Sequence, residues 1–247
     1  IGLLLGWRAA QHAADAGLVA PASLACSLVS SPGLETVAEH YGLDFHATLT
    51  GFKWISRVPG LVFGYEEALG YCVDPAAVRD KDGIGSAVLL AQIAARLRRE
   101  GSSIASLLDD LALRHGSHVT VGRSLHATPG GITAAMNLFR SAPRRTLSGI
   151  DCAMSDYANR DDGLRTDMVE FIGADGDARV RALVRPSGTE PKAKAYVEAV
   201  LPAFEAGALH VAVRGYQGLT PYARWGNWPA VAAALAVLGL AALRRRG

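Results

Sequence analysis

Short apolar segments alternate with amphipathic ones near the start of the 247-residue chain, and this order leaves few folds open. Residues 22–30 are predicted as a short buried strand and residues 45–49 as another strand. The segment between them, opened by Ser31-Pro32 and closed by Gly42, has helical spacing, as do residues 1–16. Strand–helix–strand order favours an α/β layer with a largely parallel sheet, in which ligands collect at the carboxyl ends of the strands.

The later part of the chain has a different pattern. Residues 168–172 and 179–184 are predicted to pair as a hairpin through Gly173–Asp177, which contains the favoured tight-turn dipeptide Asp-Gly. Residues 191–201 are predicted to begin a closing helix. Together these elements indicate an antiparallel sheet with helices.

The chain therefore divides into three predicted parts. We expect a mixed, largely parallel α/β sheet domain with helices on it over residues 1–118, and a smaller α+β domain with an antiparallel sheet over residues 119–202. Residues 203–247 form an atypical tail. Its apolar stretch, residues 229–243, is shorter than the roughly 20 residues that a membrane-spanning helix needs, so a membrane partner is not expected.

Composition excludes several classes of function. A formal net charge of +2 with 19% charged residues gives no support to a nucleic-acid partner. Cys26, Cys72 and Cys152 are few and widely spaced, with no CxxC pair, so neither a disulfide framework nor a structural zinc site is predicted, and the expected setting is cytoplasmic. Because the chain opens on Ile1 without signal-peptide features, we expect a start inside a longer protein.

The segment Arg185–Lys192 has the composition of a phosphate-binding loop. It combines a guanidinium, two hydroxyls, an ammonium and Gly188, which can take a positive φ and aim backbone N–H groups into one concavity. An alternating run before it places the loop at a strand end. The alternative is an ordinary strand-to-helix turn with Ser187 or Thr189 as the N-cap.

Two further segments follow predicted strands directly. Thr50–Ile55 comes after the second strand, and Leu61–Tyr71 passes from an apolar strand into the paired carboxylates of Glu66 and Glu67. Polar groups at strand ends often carry function. The alternative to a functional role is that Lys53 is an ordinary solvated lysine and that Glu66 and Glu67 belong to a polar surface loop.

His115 and His118 are three residues apart around Gly116-Ser117. A metal site would need a third ligand, and none lies nearby in the sequence. We interpret the pair as a solvated loop at a helix exit, with a metal pair as the alternative.

Four motifs in order resemble the C-terminal portion of the α-D-phosphohexomutase superfamily, which includes phosphoglucomutase and phosphomannomutase. The motifs are Thr50–Ile55, Gly64–Tyr71, Lys81–Gly83 and Arg185–Lys192. The resemblance implies an intramolecular phosphotransferase in which a phosphoserine donates its phosphoryl group to a sugar phosphate. The bisphosphorylated sugar then turns around and returns its other phosphate, with Mg²⁺ held by an Asp-rich loop.

The resemblance also implies which residues bind substrate. The positions that match sugar-binding residues are Thr50, Gly51, Lys53, Glu66 and Lys81, and those that match the loop for the phosphate not being transferred are Arg185, Ser187, Gly188, Thr189 and Lys192. The implied partners are hexose phosphates, hexose 1,6-bisphosphate and the N-terminal domains of the same enzyme.

Several family features do not occur in this sequence. Neither the serine loop, of the Thr-x-Ser-His-Asn-Pro kind, nor the Asp-Gly-Asp-x-Asp-Arg metal loop is present, and the similar run at Asp175–Arg179 is interpreted as a hairpin turn. We therefore expect no catalytic residue and no Mg²⁺ ligand in this chain, and no turnover by the chain alone. Ala68 stands where the family commonly has serine, and the resemblance is expected to end near Leu201.

Two other functions stay open at this point. A sequence that has the substrate-binding residues but lacks the catalytic serine and metal loops also fits a non-catalytic sugar-phosphate-binding remnant. A phosphopentomutase-like specificity is the other alternative, because the sequence does not distinguish glucose, mannose and pentose phosphates.

Overall fold

The computed structural model describes residues 1–18, 21–67, 69–143 and 145–201. The first region ends at residue 115 and contains helices and short strands in alternation. In chain order its elements are α1 (Gly2–Asp15), β1 (Ser23–Ser27), α2 (Gly33–Tyr41), β2 (Asp44–Thr48), α3 (Phe52–Ile55), β3 (Leu61–Glu66), β4 (Gly70–Cys72), α4 (Gly83–Arg99) and α5 (Ile104–His115).

The first sheet has the strand order β2-β1-β3-β4. β1 pairs in parallel with β2 and β3, and β4 returns antiparallel to β3. All of β1 is buried, as expected of a central strand covered on both faces. The prediction of a mixed, largely parallel sheet with helices on it is confirmed.

Helices α1 and α2 build the core of this region together with the strands. Leu5 and Leu34 from the two helices are fully buried against Phe63 of β3. α2 ends where the sequence predicted, because Gly42 takes the left-handed conformation at φ +66°.

The second region begins at Ser117 and contains a larger sheet. Its elements are β5 (Ser117–His126), α6 (Pro129–Ser141), β6 (Thr146–Leu147), β7 (Ile150–Asp156), a 3-10 turn (Tyr157–Asn159), β8 (Val169–Asp175), β9 (Ala178–Pro186) and β10 (Lys192–Leu201).

The second sheet is antiparallel, in the order β5-β10-β9-β8-β7-β6. The predicted hairpin is confirmed: Asp175 pairs with Ala178, and Gly176 turns the chain at φ +57°. The run Asp175–Arg179 is therefore a turn between two strands, as interpreted from the sequence.

The predicted closing helix over residues 191–201 is wrong, because this segment is β10. Its small and apolar residues alternate with polar ones, so that Ala195 and Val197 face α6 while Tyr196 and Glu198 face the opposite side. Pairing with β5 on one edge and β9 on the other satisfies its backbone, which outweighs the helix propensity of alanine.

Both regions belong to one compact unit. The domain boundaries at residues 118 and 202 stay predictions. The tail 203–247 and its apolar stretch lie outside the described residues, as does Ala68. Among the helices of the described ranges, none combines the length and the apolar character needed to cross a lipid bilayer.

Candidate functional site

The end of β3 holds a carboxylate next to a lysine. Glu66 is the last residue of the strand, and Lys81 Nζ lies 3.4 Å from its Oε1 atom. The Glu66 side chain is 13% exposed and that of Lys81 48%. Gly70 pairs with Glu66 across β3 and β4, and a Cβ there would lie 2.6 Å from Lys81 Cδ and 2.9 Å from Glu66 Cγ. The absence of a side chain at this position lets Lys81 cross over to Glu66.

The loop after β2 reaches the same place. Gly51 opens α3 with φ +113°, and the ring of Phe52 lies 5.4 Å from Lys81 Nζ. Thr50 is half-buried beside Gly51. Lys53 is exposed, and its Nζ lies 5.4 Å from the ring of its neighbour Trp54. The structure therefore brings Glu66, Lys81 and the start of α3 together, whereas Lys53 lies over Trp54. We call Thr50, Gly51, Phe52, Glu66 and Lys81 the Glu66 cluster.

The segment Arg185–Lys192, the Arg185 loop, is the turn between β9 and β10. Its ends are joined by the Ser187 N–H, which donates to the Lys192 carbonyl at 2.8 Å. Because a strand follows, the alternative of an N-cap at Ser187 or Thr189 is wrong. Gly188 does not take the left-handed conformation that the sequence allowed, since this turn closes without it.

The charges of the Arg185 loop differ in their surroundings. Lys192 is paired with Glu190 inside the loop, and Gly188 and Thr189 are exposed. Arg185 is half-buried, and within the described residues its Nε atom is buried without a hydrogen-bond partner. An unsatisfied buried N–H calls for an acceptor, and a phosphate oxygen is one that suits a guanidinium.

One hollow is lined by neighbours of the two groups. Glu67, directly after Glu66, and Lys194, which pairs with Arg185 across β9 and β10, both line it. The hollow encloses about 180 Å³ and is lined by Glu67, Gly122, Arg123, Ser124, Lys194 and Tyr196. Burial raises the pKa of the Glu67 carboxyl above its usual range, the Glu198 carboxylate adds to this, and a hydrogen bond from the Ser31 backbone opposes it.

Sequence reasoning missed the roles of Arg181, Lys194 and Glu198 in this part of the molecule. All three lie in strands where alternation marks one face as polar. A buried glutamate between apolar neighbours was the available signal, since Glu198 is only 4% exposed.

The interpretation of His115 and His118 as a solvated loop is wrong. The His115 residue is 5% exposed and the His118 side chain 7%. β5 begins directly after α5 and pairs with β10, which brings His118 Nδ1 to 3.1 Å from Glu198 Oε1. The other ring nitrogen, Nε2, lies 3.1 Å from the His115 carbonyl.

Across the part of the chain that the structure describes, no three His, Cys, Asp or Glu side chains come close enough to hold a metal ion. The residues therefore do not fit the Mg²⁺ that the resemblance implies, and we assign no reaction step to it in this chain.

Two family models match the sequence. Residues 3–114 match the phosphoglucomutase/phosphomannomutase α/β/α domain III, and residues 145–215 match the phosphoglucomutase/phosphomannomutase C-terminal domain. The second match continues past Leu201, so the end point expected for the resemblance was too early.

Curated relatives cover most of the chain. The "Probable phosphomannomutase" of Haemophilus influenzae is 37% identical over an alignment of 224 residues, and the match covers 85% of this chain and 44% of that protein. The phosphopentomutase of Mus musculus is 31% identical over an alignment of 235 residues, and the match covers 82% of this chain and 37% of that protein. The chain thus spans less than half the length of these relatives.

A solved structure has the same fold. The phosphoglucomutase/phosphomannomutase family protein of Burkholderia thailandensis matches 82% of this chain and 38% of its own, with a TM-score of 0.52 and 15% identity. At this identity the likeness concerns the fold alone.

Proposed function

Because the chain belongs to the phosphoglucomutase/phosphomannomutase family, we propose that its described residues bind the substrate of a phosphohexomutase, which interconverts hexose 1-phosphate and hexose 6-phosphate. One observation carries this proposal. Glu67, the chain neighbour of Glu66, and Lys194, which pairs with Arg185 across β9 and β10, line one hollow. The proposed ligand has a sugar at one end and a phosphate at the other, and extends from this hollow toward both groups.

Arg185 is the proposed main phosphate ligand. Its buried Nε–H needs an acceptor, and its guanidinium can donate two parallel hydrogen bonds to phosphate oxygens. Ser187 and Thr189 add hydroxyl donors, and Lys192 adds positive charge. Gly188 lies at the open tip of the loop, where a Cβ would meet nothing within 4 Å.

Glu66 is the proposed sugar ligand. A carboxylate accepts hydrogen bonds from two neighbouring sugar hydroxyls, and Lys81 holds this one in place at 3.4 Å. Thr50 and Gly51 are proposed sugar ligands because they directly precede Phe52, whose ring lies 5.4 Å from Lys81 Nζ. Lys53 belongs to the proposed set on the strength of its motif, and it would have to leave Trp54 to reach the sugar.

The proposed reaction has two transfers. A phosphoserine gives its phosphoryl group to a free hydroxyl of the sugar phosphate, and the resulting bisphosphate turns around and returns its other phosphoryl group to the serine. In both transfers the Arg185 loop holds the phosphate that stays on the sugar. Glu66 must therefore accept hydrogen bonds from the sugar hydroxyls in either orientation of the ring. Phosphoryl transfer depends mainly on such positioning and on charge stabilisation.

We further propose that these 247 residues bind substrate without turning it over. The serine and metal loops implied by the resemblance do not occur in the sequence, so the N-terminal domains of the enzyme are the partners that would supply them. Two alternatives have support. The missing motifs also fit a non-catalytic sugar-phosphate-binding protein, and the match to a phosphopentomutase fits a pentose substrate.

Calorimetric titration of the chain with glucose 1-phosphate, mannose 1-phosphate, ribose 1-phosphate and glucose 1,6-bisphosphate tests the proposal. Binding of a hexose phosphate, without interconversion of glucose 1-phosphate and glucose 6-phosphate, is the expected result. Preference for ribose 1-phosphate would favour the pentose alternative. Turnover by the pure chain would overturn the proposed division of roles, and no binding to any of the four would refute the binding function.

A further inference from the structure

The segment that leaves β1, residues 28–31, is inserted against the second sheet. Leu28 is 5% exposed, Val29 7% and Ser30 2%. On its own side the segment is fixed to β3, because the Tyr65 hydroxyl donates to the Ser31 carbonyl at 3.1 Å. Tyr65 directly precedes Glu66, so the segment is tied to the Glu66 cluster.

Arg181 of β9 binds this segment from the second sheet. Its Nη2 donates to the Leu28 carbonyl at 2.7 Å and its Nη1 to the Ser30 carbonyl at 3.2 Å. A guanidinium is planar and rigid, so two such bonds fix both the distance and the orientation of the segment.

The guanidinium is held from its other side as well. Its Nε donates to Glu170 Oε1 at 2.6 Å, and the second carboxylate oxygen of Glu170 accepts from the Tyr157 hydroxyl at 2.9 Å. Glu170 is 5% exposed. All three nitrogens of Arg181 are therefore engaged, and the arginine has little freedom to move.

A second contact lies beside the first. Glu198 pairs with Arg181 across β9 and β10, and it accepts hydrogen bonds from Ser31 Oγ and from His118 if that ring carries its proton on Nδ1. One cross-strand pair, Arg181 and Glu198, thus joins the inserted segment to the second sheet.

Arg181 lies on the same strand and the same face as Arg185, four residues away. At the usual rise of a strand this is about 13 Å. Two hydrogen bonds, Tyr65 to Ser31 and Arg181 to Leu28, therefore link the backbone next to Glu66, through the inserted segment, to β9, whose backbone leads on to Arg185.

We propose that Arg181 is a positioning residue that sets the separation between the Glu66 cluster and the Arg185 loop, a role that rests on the proposed sugar-phosphate binding. Arg181 reaches the ligand only through these two groups. Pre-set geometry favours a ligand that touches both groups, because the second contact then costs little additional ordering. A ligand that touches the loop alone gains nothing from this separation.

Two variants separate positioning from folding. Arg181→Lys keeps the positive charge but removes the planar guanidinium, whose two terminal nitrogens donate to the Leu28 and Ser30 carbonyls. Arg181→Met combined with Glu170→Gln removes both members of the buried ion pair, so that neither leaves its partner unpaired, and the introduced amide would still accept a hydrogen bond from the Tyr157 hydroxyl. Arg179→Met, on the same strand and face but exposed, is the matched control.

Glucose 1-phosphate and inorganic phosphate are the two ligands to titrate. In both Arg181 variants we expect glucose 1-phosphate to bind about tenfold more weakly while inorganic phosphate stays within about twofold of the wild type. Arg179→Met should change neither. Equal losses for both ligands, or none for either, would overturn the positioning role.

A distance measurement makes the test independent of the sugar. Spin labels at Val88→Cys on α4 and Leu138→Cys on α6, both exposed positions, report the separation of the two regions in a Cys152→Ser background. The wild-type chain and Arg179→Met should give one narrow distance distribution, and the Arg181 variants a broad one. Narrow distributions in the Arg181 variants would refute the inference, whereas a wild-type chain that binds no glucose 1-phosphate would refute only the proposed function.

Discussion

The Glu66 cluster and the Arg185 loop hold their charges in opposite ways. The Glu66 carboxylate lies at the end of a parallel sheet and is already balanced by Lys81, and its side chain is only 13% exposed. The Arg185 loop is a hairpin turn with an exposed tip, in which Lys192 is paired with Glu190 and Arg185 Nε has no partner among the described residues.

This difference assigns the two groups different parts in the proposed binding. A buried, unsatisfied N–H gains a full hydrogen bond when an anion arrives, so the Arg185 loop should supply most of the affinity. A carboxylate that is fixed before the ligand arrives can discriminate between sugar hydroxyls, because a misplaced hydroxyl leaves a polar group unpaired. The Glu66 cluster should therefore supply selectivity.

The largest effect is expected from Arg185→Ala. Loss of charge-assisted hydrogen bonds should weaken every phosphate ligand, inorganic phosphate included, by about 10- to 100-fold. Calorimetric titration measures this loss, with Arg179→Ala on the same strand as the control. Equal affinities in wild type and Arg185→Ala would remove the Arg185 loop from the site.

Glu66→Gln should act on the sugar alone. An amide accepts fewer hydrogen bonds from hydroxyls than a carboxylate does, and it forms no ion pair with Lys81. We therefore expect hexose phosphates to bind about tenfold more weakly, with less discrimination between glucose and mannose. Inorganic phosphate is the control ligand, and its affinity should be unchanged. If inorganic phosphate weakens as much as the sugar phosphates, the proposed division between affinity and selectivity is wrong.

A smaller change in the opposite direction is expected from Glu190→Gln. This variant frees Lys192 from its partner and removes a negative charge from the loop, so inorganic phosphate should bind about threefold more tightly at low salt. The gain should shrink as salt is added, which titrations at two ionic strengths would measure. A weaker affinity would mean that the Glu190–Lys192 pair shapes the loop for binding.

The smallest effect concerns Glu67. Burial raises the pKa of its carboxyl above the usual 4.5, so the folded state holds a proton that the unfolded state has lost, and stability falls as pH rises through that window. Glu67→Gln should abolish this loss. Urea unfolding of both proteins at pH 4 and pH 8 should show the stability of the variant rising by less than about 1 kcal/mol relative to the wild type, because Glu67 stays partly solvated and solvent screens its charge. An unchanged difference between the two pH values would contradict the raised pKa.

The sequence predicted local features well and long-range contacts poorly. The alternation of apolar and amphipathic segments predicted the first sheet, and Gly42 predicted the end of α2. The Asp-Gly dipeptide predicted the hairpin. Each of these features depends on residues that are close in the chain. β10 was predicted as a helix because its alanine-rich composition suits both structures, and only its two neighbouring strands decide between them.

The candidate site shows the same limit. The motifs assigned Glu66 and Lys81 to one sugar-binding group, and the two side chains lie 3.4 Å apart in the structure. The inserted segment, Arg181 and the His118–Glu198 contact join residues that are 80 to 153 positions apart in the chain. Such contacts follow from how the second sheet lies against β1, which no local pattern encodes.

The most direct test of the account is a titration of the isotopically labelled chain with glucose 1-phosphate, followed by the backbone amide signals in NMR spectra. We predict that signals at Gly51 and Glu66 and signals at Ser187 and Thr189 shift together and fit one dissociation constant. Inorganic phosphate should shift only the second group. Shifts confined to one group under glucose 1-phosphate, or two different dissociation constants, would contradict a single site built from the Glu66 cluster and the Arg185 loop.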